Sequence, residues 1–411
     1  MSGSTLRWEH RPTELPRPRR TRMYAAHKNK IVKTEAVLTY KARKHLSGAE
    51  VNRIVMLEIL AFIFVLGLLI FVHELGHFML AKASGIRVET FSLGFPPKMI
   101  GFRKGDTEYC ISWIPLGGYV KMAGEKPEES EVRGEPWEFM SKPVWKRMLV
   151  ILAGPAMNYI LTIVILFGIY FFKGEPVIDE TRALIGQVLK DNPAESAGLK
   201  PKDVIIGVDD STVTSFQSMY DIVTKRPGES AKLTWLRGAD TITAIVQIRS
   251  DTTMNDKGDI VVLGKIGVGQ DVTYKPMGFF PSLNQGFIMT NIYAGTIFKF
   301  LKDVVTGSVS TKLIGGPLFI AQAVGEAAKT GFVEVLLLAA ILSVNLGVVN
   351  MIPIPVLDGG QALFLIIEKI KGRPLSMRAR SIAQQIGFVF LILLIIFVTK
   401  NDIWRINIFG W

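Results

Sequence analysis

The sequence predicts an α-helical polytopic membrane protein of about four transmembrane helices, with a membrane-associated β-hairpin and an inserted β-rich domain. Three observations lead there. The 411-residue chain is 49% hydrophobic and only 20% charged, with a mean hydropathy of +0.31, a balance unlike that of a soluble enzyme or a disordered chain. The apolar stretches 56–80, 148–172, 332–357 and about 382–399 are each long enough to cross a hydrocarbon core of about 30 Å. Residues 182–250 instead alternate apolar and polar side chains in short runs broken by turn signals, the pattern of a small β domain.

In chain order, residues 1–55 form a basic leader with 13 Lys/Arg against 4 Asp/Glu, whereas the rest carries 35 against 32. The leader has no apolar period. It is expected to be disordered or foreign to the working protein, and Met56, directly before the first apolar run, is the expected start. The nearly neutral body argues against a nucleic-acid partner. Residues 56–172 hold the first two spans and a connecting loop with a glycine-rich, hairpin-like stretch at 106–121. A signal peptide is the rival for the first span, but no small-residue cleavage site follows it.

Residues 173–270 form the β-rich domain, with one helical piece around 217–225. The linker 271–331 mixes aromatics with sparse charge over 275–305, which fits either a helix on a membrane surface or ordinary packing. Residues 332–411 hold the last two spans. The loop 358–381 carries Lys369, Lys371, Arg373, Arg378 and Arg380 against Asp358 and Glu368, so it is expected in the cytoplasm. The 81–144 loop then lies on the same side, and the β-rich domain lies outside. A basic leader on the outside conflicts with that orientation, a second reason to set it apart.

The chemistry concentrates in a few residues. Of five histidines, three lie in the leader and leave only His73 and His77 in the body; Cys110 is the sole cysteine. This excludes an internal disulfide and an all-thiolate metal site. His73-Glu74-Leu75-Gly76-His77 ends the first span, with two imidazoles at i and i+4 on one helix face and a glutamate beside them. Ionisable residues inside a membrane cost about 2.5–3.5 kcal/mol each, so a cluster of three is rarely idle.

A catalytic zinc takes three protein ligands and keeps one open position. With no further histidine, the third ligand is a carboxylate or Cys110. Asp358 is the better candidate. It closes Asn350-Met-Ile-Pro-Ile-Pro-Val-Leu-Asp358-Gly-Gly, where two prolines break an apolar helix, and such a break survives in a membrane only where it is buried in protein or lines a wet cavity.

Over residues 56–399 the chain resembles the site-2 protease family of intramembrane zinc metalloproteases, in its bacterial RseP/RasP type. The markers are Phe71-Val-His-Glu-Leu-Gly-His-Phe, Phe91-Ser-Leu-Gly-Phe, Ile114-Pro-Leu-Gly-Gly-Tyr-Val-Lys-Met, Ala153-Gly-Pro-Ala-Met-Asn and the run from Asn350 to Gly359. The stretch Asn192-Pro-Ala-Glu-Ser-Ala-Gly-Leu-Lys-Pro-Lys-Asp-Val-Ile resembles PDZ domains of bacterial envelope proteases, and one such unit is visible. Departures are Gln361 where many relatives have histidine, Pro96 in place of a common glycine, the single PDZ domain and the basic leader.

What the resemblance implies is Zn²⁺ held by His73, His77 and Asp358, with Glu74 as catalytic base. Gly117, Gly118 and Tyr119 would belong to a membrane-dipping hairpin that handles substrate, and Asn350, Pro353 and Pro355 would hold the unwound peptide. The implied activity is cleavage of transmembrane segments, such as those of an anti-sigma factor or signal-peptide remnants, after another protease has made a first cut. The implied place is the bacterial cytoplasmic (inner) membrane, with the PDZ-like domain outside and the zinc near the cytoplasmic side. A non-catalytic membrane chaperone has no need of Glu74. A metal transporter calls for polar residues along several spans, and here they gather at one depth.

Overall fold

A computed structural model describes residues 48–125 and 134–409, so most of the leader lies outside the described residues. Residues 53–402 pack as one unit. Helix α1 (Gly48–Ala83) leads into a folded hairpin of β1 (Val88–Lys104) and β2 (Thr107–Met122), in which 98–104 pairs with 107–112 and the start of β1, 88–95, pairs with 114–122 and lies beside 108–111 as well. The turn falls at Gly105, whose φ of +60° suits a residue without Cβ. The expected glycine-rich stretch 106–121 is therefore one arm of this hairpin, and its partner is the segment before it. Pro96 and Pro97 interrupt β1, which hides it from a reading based on strand periodicity.

Helix α2 (Val144–Lys173) follows and is the hub of the helical region. The β-rich domain comes next. Strands β3 (Glu175–Ile178), β4 (Ala183–Val188), β5 (Val204–Val208), β6 (Ser211–Thr212), β7 (Ser230–Arg237), β8 (Asp240–Gln247), β9 (Arg249–Met254), β10 (Ile260–Lys265), β11 (Val268–Gln270) and β12 (Val272–Lys275) are all antiparallel. The main sheet runs β11-β4-β5-β7-β8, with β6 beside β5; β9 pairs with β10, and β3 with β12.

A short helix α3 (Pro193–Ser196) and the amphipathic α4 (Phe216–Thr224) complete the domain. The latter starts with a reciprocal Ser215/Ser218 cap, which satisfies backbone donors that a helix start leaves open. Ile185, Ile205, Leu233, Trp235 and Ile248 form the domain's core.

The region expected as a linker holds two helices, α5 (Phe279–Val305) and α6 (Pro317–Thr330). Then come α7 (Phe332–Asn350), α8 (Asp358–Lys371) and α9 (Met377–Phe409). Among the described residues, four helical segments are long and apolar enough to cross a membrane: Val55–Ala83, Val144–Lys173, Phe332–Asn350 and Arg378–Ile406. The third ends at Asn350, earlier than the apolar run predicts. Pro353 and Pro355 lack N–H donors and disfavour helix at the residues before them, so 351–357 is a loop and Asp358 opens a new helix.

α2 packs against α5, α7 and α8. The close approaches are made at small residues, as in membrane bundles generally. A Cβ at Gly76 of α1 would lie 2.3 Å from the Ala153 carbonyl oxygen of α2, and one at Gly347 of α7 would lie 3.1 Å from that of Pro155. The start of α2 also joins the hairpin, the end of α1 and α8 in one apolar cluster that includes Ile86, Phe91, Val150 and Leu365.

Candidate metal centre

Helical spacing sets His73 and His77 on one face of α1, and their Nε2 atoms are 3.2 Å apart. The loop 351–357 returns the chain so that Asp358, at the first turn of α8, meets them. Its Oδ2 lies 3.1 Å from His73 Nε2 and 3.5 Å from His77 Nε2. These donor atoms all fall within 4.8 Å of one another. Both histidines are buried, at 7% and 9% exposure.

The outer ring nitrogens are occupied. His77 Nδ1–H donates to the Val150 carbonyl oxygen at 2.8 Å, which leaves its Nε2 lone pair facing the cluster. His73 Nδ1 lies 3.1 Å from the carboxamide of Asn158. That residue's backbone carbonyl oxygen accepts hydroxyl bonds from Thr162 (3.0 Å) and Ser343 (2.8 Å), tying α2 to α7.

The donor set fits a metal ion on two observations. Asp358 Oδ2 is a buried oxygen without a hydrogen bond of good geometry among the described residues, a costly arrangement that a cation relieves. Gly154 of α2 lies against the two imidazoles. A Cβ there would lie 2.3 Å from His77 Nε2 and 2.8 Å from His73 Cε1, so only glycine leaves the approach free.

The other sequence-predicted residues divide into near and far. Gly118 in β2 comes against the glutamate, since its Cβ would sit 3.0 Å from Glu74 Cγ and 2.9 Å from the Ser92 carbonyl oxygen. Gly117 and Tyr119 flank it, and Tyr119 pairs with Ser92 across the hairpin. Asn350 Nδ2 lies 3.4 Å from His73 Nε2.

Pro353 and Pro355 lie in the loop before Asp358; the Pro355 carbonyl accepts Gln361 Nε2 at 3.3 Å. Cys110 sits apart, buried in β2 opposite Ser92 and Gly101. Sequence alone gives Val150, Gly154 and Asn158 no role. The run Ala153-Gly-Pro-Ala-Met-Asn158 is a signal for two of them, whereas the Val150 contact uses a backbone carbonyl that no residue type announces.

Two imidazole nitrogens and one carboxylate oxygen beside a glutamate make a donor set of the kind that metallohydrolases use. The model of peptidase family M50 matches residues 61–394. Zinc metalloprotease RasP of Oceanobacillus iheyensis is 31% identical over 85% of this chain and 100% of its own length. RasP of Bacillus licheniformis is 32% identical over 85% and 100%. Putative zinc metalloprotease Atu1380 of Agrobacterium fabrum is 37% identical over 84% of this chain and 95% of its own.

Among solved structures, the PDZ domain of the SdrC-like protein Lmo2051 from Listeria monocytogenes is 21% identical over 23% of this chain and 90% of that one, at a TM-score of 0.18. The chain belongs to peptidase family M50, the site-2 proteases, and is a zinc metalloprotease. It is a membrane protein of a family that acts on membrane-protein substrates within the bilayer.

Proposed function

We propose that this enzyme is a polytopic intramembrane endopeptidase that cuts transmembrane segments, with zinc held by His73, His77 and Asp358 and with Glu74 as general base. The observation that carries the reading is the convergence of these three donor atoms within 4.8 Å, two from α1 and one from α8 at the end of a proline-broken loop. Bound zinc supplies a Lewis acid for the scissile carbonyl and lowers the pKa of water. Glu74, next to His73 and against the hairpin at Gly118, takes the proton of the attacking water and returns it to the leaving amine.

The substrate must unwind first, because a transmembrane helix spends its peptide groups on itself. Residues 118–122 of β2 pair only with the start of β1 among the described strands, so the other edge near Gly117–Tyr119 offers backbone groups to an incoming extended segment. Asn350, beside His73, and the loop bearing Pro353 and Pro355 help hold the same segment.

The basic charge of 358–381 orients this chemistry toward the cytoplasmic face of a bacterial inner membrane, with the β-rich domain outside. That domain is PDZ-like by its sequence. A cavity of about 300 Å³ between α4 and β10, lined in part by Phe216, Met219, Val223 and Leu263, suits an extended peptide. It serves as a gate that admits substrates already shortened outside, such as an anti-sigma factor or a signal-peptide remnant.

Zinc content and cleavage of a model transmembrane substrate test the site. Glu74→Gln is expected to keep stoichiometric zinc and lose cleavage. Asp358→Asn should lose both while remaining inserted, and Cys110→Ser should keep both. A zinc-replete Asp358→Asn protein beside a metal-free Cys110→Ser protein would overturn the ligand assignment.

A further inference from the structure

We propose that Asn158 is a positioning residue of the metal centre, its carboxamide setting the tautomer and ring orientation of His73. The inference rests on the ligand assignment proposed above. The two histidines are held differently. His77 faces the Val150 carbonyl, which can only accept, so its Nδ1 keeps the proton. His73 faces a carboxamide, which offers a donor on one side and an acceptor on the other.

Asn158 is 0% exposed, and its Oδ1 is a buried atom without a hydrogen-bond partner among the described residues. With Nδ2 toward the ring, the amide donates to Nδ1, and the imidazole proton sits on Nε2, 3.1 Å from Asp358 Oδ2. In that tautomer Nε2 has no lone pair to give. A metal ligand at Nε2 needs the proton on Nδ1 instead, and Nδ1–H then needs an acceptor. Half a turn of the carboxamide brings Oδ1 to that position and gives the orphaned oxygen its partner.

The backbone of Asn158 stays fixed through this change. Its carbonyl is held by Thr162 and Ser343, and Thr162 Oγ1 also lies 3.0 Å from the Ala340 carbonyl of α7. One side chain thus serves both tautomers of His73 by rotation alone.

The test uses full-length protein in detergent, with zinc affinity from chelator competition and the visible absorption of the Co²⁺-substituted enzyme as readouts. Asn158→Leu keeps the side-chain size and removes both polar atoms. It is expected to weaken zinc binding about 10- to 100-fold and to change the Co²⁺ spectrum. Asn158→Asp supplies an acceptor only and is expected to restore wild-type affinity and spectrum.

Wild-type affinity in Asn158→Leu would overturn the proposal, and so would an Asp variant, folded and inserted, that fails as badly as Leu. Asp358→Asn run alongside separates the two levels. Zinc retained there sinks the ligand assignment itself. Zinc lost there but held normally by Asn158→Leu sinks only the role of Asn158.

Discussion

In the β-rich domain, Ile185, Ile205, Leu233 and Trp235 are each at most 1% exposed, and large apolar side chains fill the space between strands and α4. Around His73 and His77 a Cβ at Gly76 or Gly154 would lie 2.3 Å from the facing helix or imidazole, and the buried side chains include Asn158, Thr162 and Ser343. The first region excludes water by volume. The second sets buried polar side chains between helices that approach closely at small residues, which is how helices pack where the surroundings are themselves apolar. The two regions are therefore vulnerable to opposite changes: added volume near the metal, removed volume in the domain.

The largest expected effect follows from Gly154. Valine there would drive its Cβ into the space 2.3 Å from His77 Nε2 and 2.8 Å from His73 Cε1, and the two rings it would displace are held at Nδ1 by Val150 and Asn158. Zinc affinity is expected to fall by at least about 100-fold, the upper range for disturbing a ligand's surroundings, with cleavage lost in parallel. Hydrogen exchange in β4 and β7 should stay as in the wild type. Normal zinc binding by Gly154→Val would show that the tight approach is dispensable.

Removing volume from the other region should give the converse. Trp235→Ala empties a fully enclosed site in the domain and is expected to cost about 3–5 kcal/mol, read as faster exchange across β5, β7 and β8. Zinc affinity should not change. The same variant tests the gate, because a loosened domain should cleave full-length substrate more nearly as fast as a pre-trimmed one. Retained discrimination in a variant with lost exchange protection would remove the gating role.

Legibility in the sequence follows range. His73 and His77 are set by local helical spacing, and the prolines before Asp358 mark a break in any apolar run, so the three proposed ligands are readable without knowing the fold. The exact break is not. An apolar run to 357 reads as one span, whereas the helix stops at Asn350 and α8 starts at Asp358. The partner of the glycine-rich strand escapes a sequence reading because Pro96 and Pro97 disguise β1. A helix over 275–305 is one of the two readings that stretch allows, and α5 (Phe279–Val305) takes it; α6 is hidden by glycine and proline in 306–331, where tertiary packing outweighs propensity. What Val150, Gly154 and Asn158 touch depends on how α1 meets α2, which no local pattern encodes.

The smallest expected effect concerns charge, and it sharpens the same contrast. The most deeply buried carboxylate among the described residues of the β-rich domain is Asp203, at 1% exposure. Arg237 grips it with Nε at 2.9 Å and Nη2 at 2.7 Å, and the Lys200 backbone N–H donates at 2.8 Å. Burial by itself raises the pKa of Asp203, but the guanidinium and the N–H outweigh it and hold the group below the usual carboxylate range. A folded pKa below the unfolded value of about 3.9 contributes stability that is present above that value. It is lost as pH falls through the folded pKa. Asp203→Asn keeps the shape and cannot titrate, so it should melt below the wild type at neutral pH. The gap should close as the pH drops below about 4. Thermal scans of both full-length proteins, followed through exchange in β5 and β7, measure it. A gap that stays constant through acid would mean that Asp203 acts by shape and hydrogen bonding rather than by its charge.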